Sequence, residues 1–225
     1  MAQALEVRDR ELARLRAQLE ATGRVLRVIS DSLSDPQPVF SMLAGYAVEL
    51  CDARYAGVLG FDGELLHLHA QHGLAPEEAE IYRESFPRPP GRDSAAGRAV
   101  LNRALVHIPD VCVDSEYELG ALARAGNVRS IVAVPMLRIG APIGAIVAWR
   151  SRPEPFSDDH IALLDVFAAQ AAIAIENVRL RHELEKRDRE VTKMLEQQSA
   201  TAELLRVAAA SSGPMSSASS DTRSS

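Results

Sequence analysis

Only two cysteines, Cys51 and Cys112, occur in 225 residues, too few and too far apart for a disulfide framework or a metal knuckle. Reduced thiols in a cytoplasmic protein are therefore expected. Nowhere do eighteen apolar residues run together, and the opening MAQALEVRDRELARLRAQLE has no apolar core of a secretory leader. Neither export nor a membrane partner is expected. Basic clusters are missing as well: residues 34–177 hold eleven Lys or Arg against nineteen Asp or Glu, a net charge of −8 within a chain total of −6. Because a phosphate backbone is bound through clustered Lys and Arg, nucleic acid is not expected as a partner. Aromatic residues make up 4% of the chain, so each one in the core carries weight.

What is present is 47% hydrophobic residues, enough for one ordinary core with appendages. The chain also repeats itself. Shifting the sequence by 179 lays LEVRDRELARLRAQLEATGRVLRV (5–28) on LEKRDREVTKMLEQQSATAELLRV (184–207) without a gap, and twelve of the 24 pairs are identical. An ungapped register that keeps the same Ala-Thr pair and the same closing Leu-Arg-Val reads as duplication; the plainer alternative is shared coiled-coil bias. Organisation follows from it: a linker helix over 1–33, a domain over 34–177, and a stalk helix over 178–208 that repeats the linker. The tail 209–225 is Ser-rich and too poor in apolar residues to offset its ordering entropy.

In the linker, Leu5, Leu12, Leu19, Leu26 and Leu33 recur every seven residues, with Leu15 and Ile29 at the intervening position. This is the seam of a coiled coil and predicts a homodimer; packing of the helix on its own domain is the alternative. The C-terminal helix opens at Ser157 as N-cap, with Asp158 and Asp159 in the first turn, where carboxylates meet free amides. It is expected to run from 158 to about 208. Residues 161–175, IALLDVFAAQAAIAI, must be buried, whereas Leu180, Leu184, Val191, Met194 and Leu205 continue as a seam weakened by Arg187, Gln198 and Thr201. His182 sits in a His-Glu-Leu setting like that of a phosphoacceptor histidine, but no proline follows until Pro214, and it reads as a solvated stalk residue.

Between the helices the pattern predicts a helix over 35–51, strands at 55–61 and 65–71 joined at Asp62-Gly63, helices at 76–84 and 94–102, and a short strand at 105–108. A long loop and two closing strands at 129–137 and 143–150 complete it. Runs of strands beside segregated helices make this α+β with an antiparallel sheet.

The strand pair VRSIVAVPMLRIGAPIGAIVAWR with the following FSDDHIALLDVFAAQAAIAIENVRL resembles the closing half of a GAF domain. LRVISDSLSDPQPVFSMLAGYAVELCDARYAGVLGFDGELLHL resembles its opening half, and GRAVLNRALVHIPDVCVDSEY its middle. The resemblance spans roughly residues 25–181 and implies the GAF fold. It further implies a pocket between the sheet and the middle helices, closed by the long loop, and the flanking LEQQSATAELLRV resembles the linkers of bacterial sensor histidine kinases and nucleotide cyclases in which GAF modules occur in tandem. On that resemblance, a ligand would meet Ser94, Gly97, His107, Asp110 and Tyr117, with Arg129 at the mouth pairing an anion or, equally, a local acid such as Asp114 or Glu116. The Asn-Lys-X-Phe-Asp-Glu signature of cyclic-nucleotide phosphodiesterases is absent and neither cysteine sits in a bilin-attachment pattern, so the cofactor or ligand stays unknown.

His67, His69 and His72 are the densest histidine group; alternation places His67 and His69 on one strand face, but no further ligand type adjoins them for a metal site. Flanking carboxylates around Cys51 and Cys112 should blunt thiol reactivity. No catalytic grouping stands out. The expectation is a non-enzymatic sensory module that dimerises through its helices and relays a pocket event to an output domain, a kinase or cyclase. A thiol enzyme like the free methionine sulfoxide reductases of the GAF family, and a ligand-free dimerising spacer, are the alternatives.

Overall fold

The computed structural model describes residues 8, 12, 16–17, 19–25, 27–28, 35–118 and 127–211. The chain divides into two compact units, Met1–Arg179 and Leu180–Ser225. In chain order the elements are α1 (Gln37–Leu50), β1 (Tyr55–Phe61), β2 (Leu66–His72), α2 (Pro76–Glu84), α3 (Ala95–Asn102), β3 (Val106–Ile108), β4 (Ser130–Arg138), β5 (Ala141–Arg150) and α4 (Asp158–Ser211).

The five strands form one antiparallel sheet in the order β2-β1-β5-β4-β3. This is the expected α+β architecture, an antiparallel sheet with flanking helices and a long C-terminal helix. Two-residue alternation gives the central strands two buried faces. Ala56, Val58, Val132, Val134, Ile146 and Ala148 belong to one hydrophobic cluster, and Tyr55, Leu59, Ile131, Ala133, Val147 and Trp149 to another.

Helices α1 and α4 cover the first face. In α1 the buried residues Val39, Phe40, Leu43, Ala44 and Ala47 form one stripe at helical spacing. From α4, Leu163, Leu164, Phe167, Ala168, Ala171, Ala172 and Ala174 pack beside them. By length and composition α4 would pass for a membrane-crossing helix, but 44% of its most apolar stretch is buried in the fold. Gly60 leaves room for the ring of His69, which stacks on Phe40 at 5.2 Å.

Arg150, at the end of β5, joins the two covering helices. Its guanidinium donates to the carbonyls of Cys51 (2.8 Å) and Asp52 (3.0 Å) just past α1, and to Pro155 O (3.0 Å) and His160 Nδ1 (3.1 Å) at the start of α4. It also lies 4.2 Å from the ring centre of Phe156. Carbonyls freed at a helix end thus find a donor.

Residues 19–25 and 27–28 are helical; Val25 belongs to the same cluster as α1 and α4, Val28 packs against it, and Ala21 is buried as well. Leu12 and Leu19, from the predicted seam, are 43% and 73% exposed. Their exposure has a geometric cause: Leu19 and Ala21 are two residues apart, about 200° around a helix. Leu5, Leu15, Leu26, Ile29 and Leu33 lie outside the described residues, as do residues 212–225.

The second unit is helical through Ser211. Arg187–Glu183 and Arg181–Glu185 pair one turn apart, while Leu180, Leu184, Val191 and Met194 are exposed. The side chain of His182 lies outside the described ones.

Candidate functional site

The sheet face opposite α1 and α4 is roofed by α2 and α3. Helix α3 opens at Ser94, whose Oγ accepts from Gly97 N–H at 3.1 Å. Ala95, Ala96 and Ala99 let this helix lie close to the strands. Gly97 is required for a different contact: a Cβ there would land on the backbone of Gly91, far inside van der Waals distance. The turn before α3 therefore folds directly against the helix's first residues.

Between roof and sheet lies a narrow cleft lined by Leu66, Tyr82, Phe86, Arg88, Ser94, Ala95, Ala96, Tyr117, Val128, Ile131, Val147 and Trp149. Tyr55 and Trp149 are directly opposed on β1 and β5 and stack at 3.7 Å between ring centres. Tyr82 meets both rings and Phe86. Burial pushes the Tyr82 hydroxyl up to about 12 and raises that of Tyr117 further, so both stay uncharged. Arg88 pairs with Asp93 at the cleft. Trp149 is 3% exposed and its Nε1–H is buried with no hydrogen-bond partner among the described residues.

The loop after β3 is tied down by three bidentate pairs. Arg129 donates to Asp110 (3.0 and 2.7 Å), Arg98 to Asp114 (2.8 and 2.7 Å), and Arg92 to Glu116 (2.8 Å twice). The Arg129 hydrogen bonds, joined by the Cys112 backbone N–H, hold the Asp110 carboxyl down to about 2. Arg98 likewise lowers Asp114.

Of the residues singled out in the sequence, the structure brings Ser94 and Tyr117 to the cleft wall. Gly97 shapes the roof, one turn into α3. Arg129 and Asp110 pair with each other; the acid that Arg129 meets is Asp110 rather than Asp114 or Glu116. His107 is turned to the other face, where its Nε2 accepts from Phe156 N–H at 3.0 Å. Burial and the nearby Arg150 charge lower its pKa. Trp149, Tyr82, Phe86 and Arg88 were not singled out. Trp149 shares its strand phase with Val147 and stands opposite Tyr55, a signal that becomes readable only once the strand pairing is known.

His67 pairs with Asp62 at 2.7 Å and His69 stacks on Phe40; among the described residues no group of three or more His, Cys, Asp or Glu is placed to hold a metal ion. Cys51 is fully buried beside α4, and Cys112 is exposed in the loop.

The GAF domain family model matches residues 34–176, well over half of the chain. No curated protein matches the chain significantly in sequence. Among solved structures, the chain is similar to the GAF domain from a phosphoenolpyruvate-protein phosphotransferase of Coxiella burnetii, at TM-score 0.63 and 13% identity, covering 75% of this chain and 98% of that one. It is similar to free methionine-R-sulfoxide reductase from Neisseria meningitidis in complex with its substrate, at TM-score 0.59 and 19% identity, covering 73% and 91%. A methyl-accepting chemotaxis protein gives TM-score 0.57 and 20% identity, covering 71% and 97%. Identities this low speak to the fold alone.

Proposed function

Since the chain belongs to the GAF domain family, we propose that it is a non-enzymatic sensory module of bacterial cytoplasmic signalling. A small molecule enters the cleft beside Ser94 and Tyr117, and the event is relayed through paired helices to an output unit such as a kinase or cyclase. In this reading residues 1–33 and 178–208 are the pairing helices and 34–177 the sensing domain.

One observation carries the reading: α4 belongs to the core in its first turns and carries exposed apolar residues in its later ones. Its first turns are buried against the sheet face behind the cleft, and the same helix runs on to Ser211 with Leu180, Leu184, Val191 and Met194 exposed. A leucine stripe left in water calls for a partner helix, and Leu12 and Leu19 present a second such stripe. A ligand shifts the helices only by binding one of their arrangements better than another. The chemotaxis protein among the structural neighbours is a signalling protein by its description, in keeping with this role.

The reductase neighbour suggests thiol chemistry, but the two cysteines do not support it here. Cys51 is sealed in the helix-side core and Cys112 sits alone in an exposed loop. Sedimentation tests the assembly. A dimer at tens of micromolar that dissociates with Leu12→Asp plus Leu19→Asp is expected; a monomer indifferent to both changes would remove the paired-helix relay.

A further inference from the structure

We propose that His107 and His160 form a proton-sensitive latch at the head of α4, so that acid loosens the start of that helix without any event in the cleft. That α4 is the relay rests on the reading above. The latch itself stands on the groups gathered around Phe156.

Phe156 is 3% exposed and precedes Ser157, whose Oγ accepts the His160 N–H at 3.3 Å. Its ring is met edge-on by the imidazole of His107 from β3 at 6.1 Å and by that of His160 from the first turn of α4 at 6.3 Å. The guanidinium of Arg150, from β5, lies 4.2 Å from the ring centre. Two strands and the helix start are thus joined at one side chain.

The donors in this cluster fix the state of both imidazoles. A backbone N–H can only donate, and that of Phe156 donates to His107 Nε2 at 3.0 Å. A guanidinium has donors and no acceptor, and Arg150 Nη2 donates to His160 Nδ1 at 3.1 Å. Each ring therefore presents a bare nitrogen, as only a neutral imidazole can. A proton on either nitrogen sets donor against donor and adds a positive charge beside Arg150, which disfavours the folded contact twice over.

The surrounding charges set where the latch gives way. Burial and then Arg150 lower the His107 pKa, against a raising pull from Asp158 on α4, while its partner on β4, Val132, is apolar. Around His160 stand Arg150 and the Cys51 thiol, which donates to the His160 carbonyl at 3.8 Å. Asp52, Arg152 and Glu154 act on Arg150 in turn. His107 thus stays neutral at neutral pH and takes its proton below the ordinary histidine value of about 6.5. Once charged, it loses the Phe156 amide and is attracted by Asp158 in the helix's first turn.

Hydrogen exchange of the full chain at pH 8 and pH 5, read by mass spectrometry and scaled by the intrinsic rate at each pH, tests the latch. Peptides over 156–161 are expected to lose about five- to tenfold in protection at the lower pH, the worth of one hydrogen bond, while peptides over 39–47 of α1 keep theirs. His107→Gln offers an oxygen to the same amide and takes no proton, so His107→Gln plus His160→Gln should hold the protection level. Should that variant fail to fold, the C2 proton of His107 in the wild-type chain decides: its titration should share the midpoint of the protection loss. Unchanged protection over 156–161 overturns the latch. So does a loss shared equally by α1, a loss that persists in the double variant, or a His107 midpoint that falls elsewhere. These readouts need neither a cleft ligand nor a dimer, so the latch and the paired-helix relay fail separately.

Discussion

The two faces of the sheet are buried to a similar degree but built differently. On the helix side, aliphatic residues and Phe from α1 and α4 fill the space; Arg150 is held by five acceptors and His107 by Phe156 N–H, His69 stacks on Phe40, and Ser130 Oγ and Gln170 Oε1 are buried without a hydrogen-bond partner among the described residues. On the cleft side the same depth is reached with rings, alanines and an ion pair, leaving a narrow cleft. Close packing is the norm for a protein interior, so the side that departs from it is the side with capacity to take something in. The helix side holds the fold together and the cleft side leaves room.

The most severe way to break this comparison is to open a cavity on each side. Phe167→Ala, at a site with no exposure against the helix-side core, should lose about 3–5 kcal/mol in urea unfolding. Phe86→Ala, whose ring already borders empty space, should lose less than half as much. Equal losses would mean that the two faces are packed alike.

Gly97→Ala probes the roof. Because its Cβ would meet the Gly91 backbone rather than a movable side chain, a loss of about 1–3 kcal/mol is expected from forced backbone adjustment. A near-neutral result would show that the roof stands off from the turn.

Acid separates the faces with smaller effects. His69 and His107, both on the helix side, have pKa values lowered first by burial, then by His67 and Arg150 respectively. The folded protein takes up these protons less readily than the unfolded chain, so their contribution is complete above the unfolded value of about 6.5. It falls as pH drops below that value and levels off once the folded histidines are protonated. His107→Gln, which can still accept from Phe156 N–H, should flatten part of this slope in melting curves between pH 8 and 5. Asp110, held down to about 2, and the lowered Asp114 act in a separate window. Their contribution persists above the unfolded value of about 4 and is lost as pH falls from there through about 2. A single transition spanning both windows, unchanged in His107→Gln, would contradict the assignment.

Much of the scaffold was legible in the chain. Strand Tyr55–Phe61 and helix Pro76–Glu84 fall where composition and turn residues place them, because Pro, Asp-Gly and apolar runs act locally. The face a residue looks toward is harder to read. Val106-His107-Ile108 alternates, and with Ile108 on the cleft side His107 must point away; the alternation was in the sequence, but which face held the cleft was not. Arg129 reads as an anion receptor only until the loop delivers Asp110 to it, a contact nineteen residues apart in the chain. The stripe of Ala21, Val25 and Val28 was hidden for another reason. Beside a regular leucine spacing, a weaker second face goes unnoticed, although a helix can serve two partners on opposite sides.

Trp149 and Arg150 are consecutive residues on one strand, and the pleat sends their side chains through opposite surfaces of the sheet. The guanidinium is anchored simultaneously to the tail of α1 and the head of α4. One peptide therefore joins a wall residue of the cleft to the side chain that fastens the two covering helices.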